Sequence, residues 1–328
     1  MPPFYSPAYS NSAYQILTYA LENLTSQSYD DLFHAYLANP LSLSSTYITL
    51  PSSSSSSIVP VDATSSWYDY DFRDEVPAAG MYSSINDLRA IGRSILNSTL
   101  LSKAQTRRWL KPHSFTADVN GAVGAPWEIF RQPTKHVSWM YSKGGAVGSY
   151  GSEIILLPDY DVGIVVLAAG DTASAHSDKL SNIVSSIITP ALEEAAKAES
   201  KEKYTGTYVG LQEQSRITVS ADGSPGLGIS EWTFNGTDFF AVAQALVLRT
   251  TTNDPHQNTS IRLWPSGLTS TNMDGIETAT GWRAVVGALP INNPTPGPFL
   301  GPCIGWFRVD EVRISRLSAK LYDSYGVS

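Results

Sequence analysis

Cysteine and metal-binding patterns are nearly absent from this sequence. One cysteine, Cys303, excludes an internal disulfide framework and any cysteine-rich metal site. The histidines are scattered without the spacing of metal ligands, so each is interpreted as a surface or structural residue. They are His34, His113, His136, His176 and His256. No metal and no other cofactor is expected.

Positive charge and long apolar runs are also scarce. The 22 Lys and Arg residues are outnumbered by 30 Asp and Glu residues, and the net charge is −8. Because no Lys/Arg-rich run appears, a nucleic-acid partner is not expected. No apolar run approaches the ~18 residues of a membrane-spanning helix. With 42% hydrophobic residues in 328, the composition is that of a globular protein, and the length favours two domains.

The localisation stays open from the sequence. The first residues do not show the basic and apolar regions of a signal peptide. Four Asn-x-Ser/Thr sequons are nevertheless glycosylation candidates and fit descent from a secreted protein. They are Asn23, Asn97, Asn235 and Asn258.

The order of patterns predicts an α+β chain. Amphipathic spacing predicts a helix over residues 12–24, and Ser84-Ile85-Asn86-Asp87 has the form of a capping box before a second helix. Two apolar runs around Pro158-Asp159 predict a β-hairpin over residues 150–168, followed by a long helix over 173–198.

The C-terminal part has a different pattern of residues. After a charged linker at 199–203, residues 204–328 contain short β-rich segments separated by turns, among them SRITVSA, FFAVAQALVL, GWRAVV and CIGWFRVDEVRIS. They predict a small antiparallel β-barrel-like domain. The first domain is then expected to span residues 1–198.

Two short polar constellations are candidates for chemistry. Tyr9-Ser10-Asn11 stands directly before the first predicted helix, and Lys143-Gly144-Gly145-Ala146 stands just ahead of the predicted hairpin. Glycines there let the backbone approach a ligand closely, and the lysine supplies a positive charge. The alternative for the second constellation is a glycine-rich hairpin edge whose lysine keeps the strand soluble.

In this order the constellations resemble the serine β-lactamase and penicillin-binding-protein superfamily, in particular its class C β-lactamase, D-alanyl-D-alanine carboxypeptidase and esterase branch. The resemblance covers residues 3–198. Four segments carry it: FYSPAYSNSAYQILTYALE, NPLSLSSTYIT, VPAAGMYSSINDLRAIG and SKGGAVGSYGSEIILLPDYDVGIVVLAAG. The remainder resembles the lipocalin-like C-terminal domain of many fungal members. The resemblance implies a partial β-lactamase/transpeptidase-like domain, with antiparallel sheet and helices, ahead of the β-rich domain.

The resemblance also implies acyl transfer through a serine ester, for which a neighbouring base must activate the serine. Tyr9 would accept or relay that proton, and Asn11 would hydrogen-bond the substrate amide. Lys143 would supply positive charge beside Tyr9 and the substrate carboxylate.

Residues after Lys143 would bind the substrate. Gly144 and Gly145 would line the site, and the Ala146 N–H would form half of an oxyanion hole. The family usually has Thr or Ser where Gly144 stands, so the hydroxyl is missing here. That departure disfavours a β-lactam carboxylate and favours an ester or another acyl substrate.

The nucleophile of the family is not found. The one Ser-x-x-Lys pair is Ser200 and Lys203, in the charged linker, and Ser149 lacks the first glycine of a Gly-x-Ser-x-Gly elbow. Three interpretations remain open: an N-terminally truncated serine hydrolase, a pseudoenzyme that binds a small molecule, and a non-covalent acid/base catalyst that uses Tyr9. The expected partner is a small acyl, ester or polyketide-like molecule, because fungal proteins that this chain resembles are frequently encoded beside secondary-metabolite genes. The oligomeric state stays open.

Overall fold

The computed structural model describes residues 6–52, 57–132, 138–210, 214–249, 251–271, 273, 277–288 and 312–314. The chain divides into two compact units, Met1–Leu192 and Glu193–Ser328. One long helix, α8 below, continues through the predicted linker at 199–203. Within the described residues, no helix has the length and apolar character needed to cross a membrane.

Helices precede the sheet in the first unit. Short 3-10 and π-helical segments lie at Arg73–Glu75 and His34–Ala38. The α-helices are α1 (Asn11–Thr25), α2 (Tyr29–Phe33), α3 (Asn39–Leu41), α4 (Ala63–Ser66), α5 (Val76–Ala79), α6 (Ile85–Leu96) and α7 (Lys103–Trp109).

Helix α1 begins where the sequence predicts it. The Ser10 side chain accepts a hydrogen bond from the Ala13 N–H at 3.2 Å and so caps the helix. The apolar stripe of α1 is largely exposed: Leu17 is 53% and Leu24 81% accessible, and Thr18 is the buried residue of the helix. The described residues of the chain therefore leave this stripe uncovered.

Helix α6 begins at the predicted cap, but not with the complete predicted capping box. The Ser84 side chain accepts from the Asp87 N–H at 3.3 Å. The Asp87 carboxylate instead accepts from the Ser45 N–H at 2.7 Å and from the Thr46 hydroxyl at 2.8 Å. Asp87 is buried, so these two bonds satisfy its charge and tie α6 to the preceding loop.

A six-stranded antiparallel sheet follows, with its strands in sequence order. The strands are β1 (Ser114–Phe115), β2 (Gly121–Val123), β3 (Glu128–Arg131), β4 (Trp139–Val147), β5 (Tyr150–Leu157) and β6 (Val162–Ala169). The predicted hairpin is confirmed as β5 and β6, joined by a 3-10 turn that ends at Asp161 in the left-handed region. Helices cover both faces, because one core packs against α6 and another against α8 (Ala173–Tyr204).

The second unit contains a seven-stranded antiparallel sheet. Its strands are β7 (Gly206–Val209), β8 (Arg216–Ser220), β9 (Leu227–Phe234), β10 (Thr237–Asp238), β11 (Thr259–Thr271), β12 (Glu277–Ala288) and β13 (Val312–Ile314). The order is β13-β12-β11-β9-β8-β7, with β10 beside β9. Over the described strands this path is open, so an α+β fold with antiparallel sheets is confirmed and a closed barrel is not. Cys303 lies outside the described residues.

The prediction of a β-rich segment at FFAVAQALVL is wrong. Residues Phe239–Leu246 form helix α9, and Pro255–Asn258 form the short helix α10. The Asp238 side chain caps α9 by accepting from the Phe240 N–H at 3.0 Å. Helical spacing then buries Phe240, Ala243 and Gln244 on one face. The side-chain cap and this burial against the sheet favour the helix.

Candidate active site

The site is built on an open edge of strand β4. Strand β5 pairs with β4 as far as Val147, whereas the pairing of β3 with β4 stops at the pair Glu128–Ser142. Among the described strands, β4 beyond Ser142 is therefore free on the side that faces away from β5. Lys143 and the predicted substrate-binding residues Gly144, Gly145 and Ala146 lie on this segment.

The Lys143 ammonium group has three kinds of partner. It donates to the Gly144 carbonyl oxygen at 2.7 Å and lies 3.2 Å from Glu128 Oε1. It also lies 5.2 Å from the centre of the Tyr9 ring, within the range of a cation–π interaction. These contacts bring together Tyr9 and Lys143, two of the three residues that the sequence predicted as catalytic.

The third predicted residue, Asn11, opens α1. Its side chain is exposed, and Tyr9 is 74% accessible. The Ser10 cap between them fixes the start of the helix, so Tyr9 stands in the extended segment just before it. The structure thus places Tyr9 and Asn11 at the amino end of one helix, with Lys143 beside the tyrosine.

Tyr14 belongs to the same neighbourhood and was missed by the sequence reasoning. Partial burial raises the pKa of its phenol, while the Lys143 charge lowers that pKa and Tyr9 raises it. Tyr14 lies three residues after Asn11, which places the two on adjacent positions of one helix face. That spacing was the available signal.

Glu153 is a second residue that the sequence did not identify. It pairs with Gly144 across β4 and β5, and a Cβ atom on Gly144 would lie 2.8 Å from Glu153 Oε2. Burial is the main cause that raises the pKa of the Glu153 carboxyl. Repulsion from Glu128 and Asp178 adds to it, while a Ser142 hydrogen bond and the Lys143 charge oppose it. Its position as the charged residue of strand β5, YGSEIILL, was the available signal.

Two sequence-family models match the chain. A sequence model described as Beta-lactamase matches residues 2–184, more than half of the chain. The chain belongs to the beta-lactamase family. A second model, described as the C-terminal domain of beta-lactamase-like proteins, matches residues 196–320 of this family member.

The beta-lactamase-family chain is also similar to curated fungal proteins. It is 27% identical to a beta-lactamase-like protein of Arthroderma benhamiae, covering 94% of this chain and 55% of that protein. It is 28% identical to a probable hydrolase of Cochliobolus lunatus, covering 72% of this chain and 39% of that protein. The chain thus spans about half the length, or less, of these relatives. A Beta-lactamase/D-alanine carboxypeptidase structure from Yersinia pestis, complexed with citrate, is 20% identical, with a TM-score of 0.47 over 58% of this chain and 57% of that one.

The serines considered as nucleophiles in this beta-lactamase-family chain are Ser200 and Ser149. Ser200 and Lys203 are in the part of α8 that belongs to the second unit, and Lys203 is paired with Glu199. Ser149 lies in the turn between β4 and β5, where its N–H donates to the Ser66 carbonyl oxygen at 3.1 Å. The Ser200–Lys203 pair is thus helical, and Ser149 lies in a hairpin turn.

The glycosylation candidates differ in accessibility. Asn23, Asn97 and Asn235 are exposed. The Asn258 amide is engaged, because its Nδ2 donates to the Asp254 carbonyl oxygen at 2.8 Å.

No group of three or more His, Cys, Asp or Glu side chains suited to a metal ion occurs in the described part of the chain. His256 lies 2.9 Å from Asp238 and stacks on Phe240, so it contributes to the packing around α9. His136 lies outside the described residues.

Proposed function

We propose that the open edge of β4 binds a small acyl or ester substrate and that this chain carries part of an acyl-transfer site. Tyr9 is proposed as the proton-handling group and Lys143 as the group that stabilises negative charge. The 5.2 Å approach of the Lys143 ammonium to the Tyr9 ring carries this proposal. Membership of the beta-lactamase family supports it.

Elementary electrostatics supports these roles. Lys143 places a positive charge beside the Tyr9 phenol, the group that would accept or relay a proton. Backbone N–H groups on an unpaired strand edge are free to donate to an oxyanion that develops in a tetrahedral intermediate. Ala146 lies on that edge and is proposed as one such donor, with Gly144 and Gly145 allowing close approach of the substrate.

A second candidate function is binding without turnover. The 74% accessibility of Tyr9 favours it, because general acid/base catalysis gains strength in a water-excluded site. The sequence has one Ser-x-x-Lys pair, and that pair lies in the other unit, so the chain by itself is proposed not to form a serine acyl-enzyme.

The test combines labelling with binding. The chain is incubated with a serine-directed fluorophosphonate and analysed by mass spectrometry, and its turnover of p-nitrophenyl acetate and nitrocefin is followed. We expect no phosphonylated serine, and we expect ester binding that weakens in Lys143→Ala. A labelled serine would contradict the proposal that the chain forms no serine acyl-enzyme. Ester binding that is unchanged in Lys143→Ala would contradict the proposed position of the site on β4. If the chain turns over an ester and Tyr9→Phe abolishes that turnover, the acid/base function is supported. If the chain binds an ester without turnover, the binding function is supported.

A further inference from the structure

Lys143 lies among carboxyl groups. Its ammonium is 3.2 Å from Glu128 Oε1, and Glu153 lies opposite Gly144 on the neighbouring strand β5. Glu128 and Asp178 both act electrostatically on Glu153. The Lys143 charge is thus offset by Glu128 before any substrate arrives, and it also acts on Glu153.

The Lys143–Glu128 ion pair is accessible to a ligand. The Lys143 side chain is 26% and the Glu128 side chain 42% exposed, so the pair borders solvent at the open edge of β4. A substrate carboxylate that binds Lys143 must displace Glu128 or bring a second negative charge beside it. Either step costs free energy, because like charges within a few ångströms repel.

The glycine in the lysine motif reinforces the effect. A Cβ at position 144 would lie 2.8 Å from Glu153 Oε2, closer than real Cβ contacts allow. A hydroxyl-bearing side chain at position 144 would therefore require the Glu153 carboxyl, the end of a flexible side chain, to move. The Glu153 carboxyl thus lies close to where the Cβ atom of a Ser or Thr at position 144 would be, and such a residue would be the one to donate a hydroxyl hydrogen bond to a substrate anion.

We propose that Glu128 and Glu153 make this site select amine-bearing acyl substrates over neutral ones, and exclude acyl substrates that carry a carboxylate. The inference rests on the proposed function, because it assigns the substrate class of the same site. A protonated amine on the substrate pairs with Glu128 or Glu153, while the acyl carbonyl lies along the β4 edge.

The probes are three benzyl esters that differ mainly in charge: benzyl glycinate, benzyl acetate and monobenzyl succinate. Their dissociation constants are measured by NMR titration of the full chain, at neutral pH and low salt. We expect the cationic ester to bind about tenfold more tightly than the anionic ester, with the neutral ester between them. High salt should reduce the differences among the three dissociation constants, because it screens partly exposed charges.

Variants assign the selectivity to the two glutamates. Glu128→Gln and Glu153→Gln should each reduce the ratio of cationic to anionic affinity by threefold or more. Glu202→Gln, which removes an exposed charge from the far end of α8, should leave that ratio unchanged and controls for net charge. Circular dichroism checks that each variant is folded, and the two variants test the inference separately.

The outcomes separate the two proposals. Equal or tighter binding of the anionic ester overturns the selectivity, and so does a ratio that neither glutamine variant changes. Binding of none of the esters, or binding that is insensitive to Lys143→Ala, overturns the proposed function together with this inference. Binding that depends on Lys143 but follows the opposite charge order overturns only the inference.

Discussion

The Lys143 ammonium lies over the face of the Tyr9 ring, 5.2 Å from its centre, although the two residues come from distant parts of the first unit. The lysine is held on a sheet strand and the tyrosine stands before a capped helix. The relationship brings the two polar constellations of the sequence next to each other.

The contact between these residues should be measurable as a coupling energy. In a double-mutant cycle of Tyr9→Leu and Lys143→Met, we expect a coupling of about 0.5–1 kcal/mol, typical of an exposed cation–π pair. Urea unfolding gives the free energies. The matched cycle of Tyr9→Leu with Lys197→Met, which removes a lysine from α8, should show no coupling above error.

The close approach of position 144 to the Glu153 carboxyl can be tested by a second double-mutant cycle. Gly144→Ser alone should lower the free energy of unfolding, because its Cβ would meet Glu153 Oε2 at 2.8 Å. In the Glu153→Ala background the same substitution should cost about 0.5 kcal/mol less, since the Glu153 carboxyl no longer has to move. Additive effects in thermal or urea unfolding would contradict the steric explanation.

The raised pKa of Glu153 predicts a pH dependence of stability. The folded chain holds the Glu153 proton to higher pH than the unfolded chain does, so the folded state binds more protons above the ordinary carboxyl pKa of about 4.3. The free energy of unfolding therefore falls as the pH rises from that value through the raised pKa of the folded state. Glu153→Gln removes this loss.

The melting temperature of Glu153→Gln relative to the parent chain should thus increase from acidic to neutral pH. Differential scanning fluorimetry over that range measures it, with Glu202→Gln as the exposed control. A difference that is constant with pH would show that Glu153 titrates alike in the folded and unfolded chains.

Asp87 should be a structural residue outside the site. Asp87→Ala leaves the Ser45 N–H and the Thr46 hydroxyl without their buried acceptor, which should lower the free energy of unfolding by about 1–3 kcal/mol. Amide exchange at Ser45 should accelerate with it. Asp69→Ala, at an exposed position of the same unit, is the control and should change both quantities little.

The sequence itself determined the features that depend on neighbours in the chain. Ser10 and Ser84 cap their helices because a serine before a helical run satisfies a free N–H locally. The β5–β6 hairpin follows from two apolar runs and the turn between them. The family and the two polar constellations were likewise identified from local patterns.

Only the tertiary structure decided which distant groups meet. Asp87 has the position of a capping-box residue, yet its carboxylate bonds to Ser45 and Thr46, since those donors are brought to it by the fold. The register of β3, β4 and β5 sets Glu128 and Glu153 beside Lys143 and Gly144, and no local motif marks Glu128. Charges act through space, so the electrostatic character of the site was determined by strand pairing and not by the order of residues.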